Sequence, residues 1–265
     1  MEKESLTQLA TLSHPQRMQV FRLLMRRYPD AVPAGEIASV LGYKASTNSV
    51  YLSALLEAGL AEQQRQGTSL RYRANMEAVQ ALMGFLFNDC CRGRPDLCPP
   101  PSSLPYGAQN MADRKYNVLF ICTGNSARSI FSEALLRDLA GDRFNVYSAG
   151  THPYSELNPY AVSLLAAKGH DISPLRAKNV SEFQGPGAPV MDFVFTVCNQ
   201  AANEECPSWE GQPVSAHWGM PDPVKATGTD AEKKLAFQQA YGALKNRITA
   251  FAALPIDTLD RISLQ

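Results

Sequence analysis

Cys122 and Arg128 flank five residues, Thr123, Gly124, Asn125, Ser126 and Ala127, and Ser129 follows directly. The run lies between the apolar Val118-Leu-Phe-Ile121 and an amphipathic stretch, so it predicts a loop joining a buried strand to a helix. In such a loop the backbone N–H groups of Thr123 to Arg128 converge on one point, faced by the positive end of the helix that follows. Arg128 adds a planar fork for two oxygens of a tetrahedral oxyanion. Ser129 is placed to hydrogen-bond the sulfur, and Gly124 to let the backbone turn tightly. The same field is expected to lower the thiol pKa and favour thiolate. The chemistry this predicts is attack by the Cys122 sulfur on a bound oxyanion.

The other five cysteines fall into two sets. Cys198 sits at the end of an apolar run, and Cys206 follows after seven intervening residues. Cys90, Cys91 and Cys98 lie together in CCRGRPDLC. Neighbouring cysteines do not easily bond each other, but two thiolates and a nearby third suit a soft, three-coordinate ion. Gly93 and Pro95 bend the chain so that Cys98 folds back, and zinc lacks an obvious fourth ligand. His152, His170 and His217 share no ligand spacing and read as surface or capping residues.

Positioning these groups requires two differently built parts. In the second half, Val118–Ile121, Phe144–Ser148 and Phe193–Val197 read as strands. Ser129–Leu139, Pro159–Lys168 and Ala231–Phe251 read as helices. That alternation predicts an α/β domain with a parallel sheet. The first half is mainly α: one helix follows Pro15, a second runs through Glu36–Leu41 to Gly42, and a third starts near Ser46-Thr47 and ends at Gly59. Leu60–Arg65 and Ser69–Ala74 form a hairpin about Gln66-Gly67-Thr68, and a last helix carries Val79, Leu82, Met83 and Phe87 into Cys90. Helix–turn–helix followed by a hairpin is the winged-helix arrangement. The run from Pro99 to Asn110 holds several prolines and few core residues, as a linker does. The expected division is 1–98, a linker at 99–114, and 115–265.

The 265 residues are enough for two domains, 45% apolar and 19% charged, which excludes a mainly disordered chain. Lys and Arg balance Asp and Glu, so any nucleic-acid binding must come from a local patch. The acidic N-terminus is not a secretion signal and no run is long enough to span a membrane, so a soluble cytoplasmic protein with reduced thiols is expected.

VLFICTGNSARS resembles the active-site loop of the low-molecular-weight tyrosine phosphatase fold, in its arsenate reductase branch, with the likeness extending over about residues 115–260. The resemblance implies Cys122 as nucleophile, Arg128 as oxyanion ligand and Asn125 as the loop asparagine. It also implies Asp222, within HWGMPDP, as general acid. Ala127 stands where many relatives have a second cysteine. Val224 after Pro223 departs from the phosphatase-type Asp-Pro-Tyr. The Cys198–Cys206 segment resembles the reductases' redox segment and implies a three-thiol relay reducing As(V) to As(III). Thioredoxin or glutathione–glutaredoxin would then restore the thiols. No tightly bound cofactor is expected, although Glu133 and Ser148 fall where some members hold a structural potassium ion.

Ser46–Leu60 resembles the recognition helix of the ArsR-type arsenic- and metal-responsive repressors, with Tyr51 where a histidine is common. It implies that Lys44, Ser46, Thr47, Asn48, Ser49 and Tyr51 face DNA, with Arg65, Arg71 and Arg73 of the hairpin on phosphates. NDCCRGRPDLC resembles the arsenite sites of certain such repressors. Arsenite takes three sulfurs, so Cys90, Cys91 and Cys98 become the expected sensor, in a homodimer reading operator DNA. Two alternatives stay open. One is a phosphatase-type hydrolase with a DNA-targeting domain, and the other a purely regulatory protein that binds oxyanion without turnover.

Overall fold

The computed structural model describes residues 2–92, 114–204, 209 and 213–256. They fall into two compact units, within 1–104 and 105–265. The stretch read as a linker is almost wholly outside the described residues.

The first unit begins with α1 (Glu2–Leu12), α2 (Pro15–Arg27), the short β1 (Val32–Pro33), α3 (Ala34–Leu41) and α4 (Ala45–Glu57). The hairpin β2 (Ala61–Gln66) and β3 (Ser69–Ala74) follows, then α5 (Met76–Gly84), which continues as a π-helical turn over Phe85–Cys90. Pro15 opens α2 at its first position, where the missing N–H costs nothing. Gly42 ends α3 at φ +68°, a left-handed position that glycine adopts without strain. Val20, Leu23 and Leu24 of α2 pack on Ile37, Leu52 and Leu55, all at most 1% exposed. The sheet order is β1-β3-β2, antiparallel throughout. This is the expected winged helix.

Two helices depart from the sequence reading. Helix α4 starts at Ala45 after an extended Lys44 and has no side-chain cap, so Ser46 and Thr47 lie inside its first turn. Its Ser49 hydroxyl turns back to the carbonyl of Ala45 at 2.9 Å. Helix α1 was not expected, because its buried positions are the polar Ser5, Gln8 and Thr11 and leave no apolar stripe. Gln8 instead anchors it by donating to the carbonyl of Ala58 at 3.3 Å.

The second unit runs β4 (Tyr116–Cys122), α6 (Arg128–Ala140), β5 (Phe144–Gly150), α7 (Pro159–Ala167), β6 (Phe193–Thr196), α8 (Asn199–Asn203), β7 (Val214–His217) and α9 (Asp230–Ala252). Strand order β5-β4-β6-β7 is parallel throughout. The fully apolar Val118–Ile121 lies centrally with helices packed against the sheet, which explains why it shows no alternation. After β5 the chain crosses to the other side of β4. The carboxyl ends of β4 and β6 therefore form a topological switch point, where open α/β sheets bind ligands. The short α8 and β7 were missed. β7 holds the alternating Val-Ser-Ala-His beside a proline and gives little periodic signal.

No helix among the described residues is long and apolar enough to cross a membrane.

Candidate active site

Cys122 is the last residue of β4, and Arg128 the first of α6, so the loop between them lies at the switch point. The Cys122 sulfur is 3% exposed, 2.9 Å from the Ser129 hydroxyl, and accepts the Asn125 backbone N–H at 3.1 Å. The sharp turn is made at Asn125, not at Gly124: Asn125 carries φ +44°. That left-handed conformation is held from three sides. Its amide nitrogen donates to Ser129 and to Ser148, each at 2.8 Å, and its amide oxygen accepts from the Lys178 N–H at 2.7 Å. Gly124 leaves room for a neighbouring side chain instead. A Cβ there would come within 2.4 Å of the Tyr154 ring, which lies against the loop.

Arg128 is also buried. One arm of its fork meets the Asp222 carboxylate at 2.8 Å, and the other donates to the Met220 carbonyl at 3.2 Å. Asp222 caps the short 3-10 turn Pro223–Lys225 by accepting from the Val224 N–H at 3.2 Å. The residues expected as general acid and oxyanion ligand thus sit together.

Burial pushes the Cys122 thiol up, and the neighbouring Cys198 adds to the rise; Ser129 and Arg128 pull the other way. This corrects the expected lowering. Desolvation of a fully enclosed sulfur outweighs one hydroxyl and an arginine whose charge is shared with Asp222.

Cys198 follows β6 by two residues. Register pairs Ile121 with Thr196, and Val197 N–H donates to the Ile121 carbonyl at 2.8 Å, so Cys198 comes in beside the loop although it is 76 positions from Cys122. It is 1% exposed, 3.4 Å from the Thr123 hydroxyl, and caps α8 by accepting the Ala201 N–H at 3.4 Å. Both thiols are free. Cys206 lies outside the described residues.

The potassium expectation does not hold. Lys178, 7% exposed, places its ammonium 2.8 Å from Glu133, and the Ser148 hydroxyl donates to the same carboxylate. The positive charge that a bound ion would supply is already present, so these residues do not fit potassium. Removing one partner of a buried pair strands the other charge. Lys178→Met should therefore lower stability by about 3–5 kcal/mol in urea unfolding. Adding Glu133→Leu should recover most of that loss.

Two of the three histidines differ from the expected surface or capping positions. His152 is exposed. His170 bridges Asp138 and the Tyr241 hydroxyl, tying α6 to α9, and His217 is 7% exposed beside Cys198. Among the described residues no group of three His, Cys, Asp or Glu is arranged to hold a metal ion.

In the first unit, Lys44, Ser46, Ser49 and Arg65 are exposed and Thr47 is half-buried. Asn48 is not on the DNA-facing surface. It is 2% exposed and donates to the Ala34 carbonyl at 2.9 Å, joining α4 to α3. Tyr51 is half-buried and packs between the His14 and Tyr43 rings, each centred 5.4 Å away. Arg71 reaches the Ala31 carbonyl at 3.4 Å, and Arg73 pairs with Glu62 at 2.6 Å. That exposed pair is worth about 1 kcal/mol at most, so a phosphate can compete for the arginine. Cys90 is exposed and free, whereas Cys91 is disulfide-bonded and Cys98 lies outside the described residues. A three-thiolate sensor therefore requires Cys91 to be reduced first.

A parallel sheet with a buried thiol, an arginine fork and a carboxylate at its switch point defines a phosphatase-like α/β thiol fold. The sequence pattern described as low molecular weight phosphotyrosine protein phosphatase matches residues 117–261, and a helix-turn-helix domain pattern matches 12–64. The chain is 39% identical to an arsenate reductase of Bacillus licheniformis over 139 residues, which are 52% of this chain and 96% of that one. An arsenate reductase of Bacillus subtilis is 37% identical over 135 residues, 51% of this chain and 94% of that one. Among solved structures, a thioredoxin-dependent arsenate reductase of Corynebacterium glutamicum is 22% identical with a TM-score of 0.40, covering 82% of this chain and 92% of that one. The chain belongs to the low molecular weight phosphotyrosine protein phosphatase family, in the group of the arsenate reductases, and carries an N-terminal helix-turn-helix domain as well.

Proposed function

We propose that the protein is a bifunctional arsenic-response protein, an arsenate reductase fused to an arsenite-responsive repressor. The observation that carries the reductase half is the second buried thiol, Cys198, held beside Cys122 through Thr123. Hydrolysis has no use for it. In this reading arsenate enters the loop, displaces Asp222 from Arg128, and is held by backbone N–H groups from Thr123 to Ser129. The Cys122 thiolate attacks arsenic(V) and expels an oxygen that Asp222 protonates. The Cys198 thiolate then attacks the Cys122 sulfur. A disulfide forms, the S–As bond breaks, and its electron pair stays on arsenic, which leaves as arsenite. Cys206 attacks the Cys198 sulfur, frees Cys122, and leaves a Cys198–Cys206 disulfide for thioredoxin or glutathione–glutaredoxin.

The repressor half follows from the winged helix with its exposed Lys44, Ser46, Ser49 and Arg65. A homodimer reads two operator half-sites, and arsenite on reduced Cys90, Cys91 and Cys98 favours a conformer with low DNA affinity. The division at residues 98 and 115 separates the two activities.

The test is direct. The protein incubated with arsenate and either reductant system should yield arsenite in many turnovers, and arsenite should release bound operator DNA. Hydrolysis of a phenyl phosphate without arsenite would favour the phosphatase reading. Neither product would favour the purely regulatory one.

A further inference from the structure

His217 closes β7 beside Thr196, its register partner at the end of β6. Its Nδ1 lies 2.8 Å from the Thr196 hydroxyl and its Nε2 3.2 Å from the Asn199 side-chain oxygen. Thr196 is the last residue of β6 and Asn199 the first of α8, so the ring clasps both ends of the two-residue connection that carries Cys198. His217 and Cys198 are buried, at 7% and 1% exposure, while Thr196 is half-buried and Asn199 lies at the surface. One neutral tautomer satisfies both contacts: the Thr196 hydroxyl donates to Nδ1, and Nε2–H donates to Asn199. No shorter side chain reaches both.

We propose that His217 is a positioning residue for Cys198, acting on the second chemical step and not on oxyanion binding. The inference rests on the three-thiol reading. In that step the Cys198 sulfur bonds the Cys122 sulfur as the S–As bond breaks; two thiols are oxidised and arsenic(V) is reduced to arsenic(III). In-line attack on a buried sulfur depends on placement to a fraction of an ångström. The Cys198 backbone is held by Val197 N–H on the Ile121 carbonyl and Ala202 N–H on its own carbonyl, but its sulfur makes only weak contacts, to Thr123 and Ala201. The arsenate cradle is built from other residues.

The test uses the full chain carrying Cys206→Ser, so that the Cys122–Cys198 disulfide accumulates after one equivalent of arsenate. Its formation is followed by rapid quench and mass spectrometry. His217→Ala is expected to slow it about tenfold, because it removes both hydrogen bonds of the ring. The arsenate concentration that half-protects Cys122 from alkylation should not change. His217→Gln, whose amide reaches the Nε2 position, should return within about threefold of the parent rate. Asn199→Ala alters an exposed side chain and should slow the step about threefold, so it carries the test if His217→Ala fails to fold. An unchanged disulfide rate in these variants would overturn the proposal, as would a rise in the half-protecting concentration matching the lost rate. A parent that forms arsenite without any Cys122–Cys198 disulfide would sink the relay itself, and His217's role with it.

Discussion

Arg128→Lys should lower kcat/KM for arsenate by about 10²–10³ while leaving the fold intact. The substitution keeps a positive charge beside Cys122 but removes the planar fork. In the structure that fork is used at both ends, by the Asp222 carboxylate at 2.8 Å and the Met220 carbonyl at 3.2 Å. A lysine ammonium can make one of these contacts, not both. It would also hold only one oxygen of the attacked oxyanion, so charge developing during attack loses a matched donor. Because Asp222 rests on Arg128, the variant misplaces the proton donor together with the oxyanion ligand. Both kcat and kcat/KM should therefore fall. Steady-state kinetics with arsenate check this, and a loss confined to KM would show that Arg128 serves binding alone.

Cys198→Ser should abolish arsenite production supported by thioredoxin or glutaredoxin, with at least about a 10³-fold loss. A hydroxyl has nearly the same shape, so the pocket, the Thr123 contact and the α8 cap are kept. What disappears is the only described thiol that borders Cys122 and can accept the sulfur–sulfur bond. Arsenate should still bind and still protect Cys122 from alkylation. Since Cys198 raises the Cys122 pKa, its removal should shift the pH for half-maximal alkylation of Cys122 downward. Two opposite effects on one variant, lost turnover and easier thiolate formation, separate a redox partner from a merely structural thiol. Retention of full arsenite turnover by the serine variant would contradict the relay.

The architecture was largely legible because its signals are local. A four-residue apolar run marks β4, Pro15 and Gly42 bracket helices, and a six-residue Cys-to-Arg spacing marks the loop. What could not be read depends on contacts between distant positions. Lys178 lies 53 residues from Asn125, and no pattern signals that its ammonium replaces an ion at Glu133. The Thr196–His217–Asn199 clasp exists only because β7 pairs with β6. Asn48 looked like a DNA contact because recognition helices expose their first turns, but its spacing cannot show which side of the turn faces α3. The direction of the Cys122 pKa shift is hidden from the sequence for a related reason. Sequence reveals the stabilising donors and not the burial that opposes them. The first half of the redox segment was recognisable from Cys198 at a strand end, whereas α8 is too short to show a helical period.

Disulfide mapping by mass spectrometry after a single turnover with arsenate tests the central claim most directly. A Cys198–Cys206 bond is expected in the full chain, formed in step with one equivalent of arsenite. The bond should be absent when Cys122 is replaced by serine. Arsenite released without that bond, or the bond formed equally without Cys122, would contradict that claim.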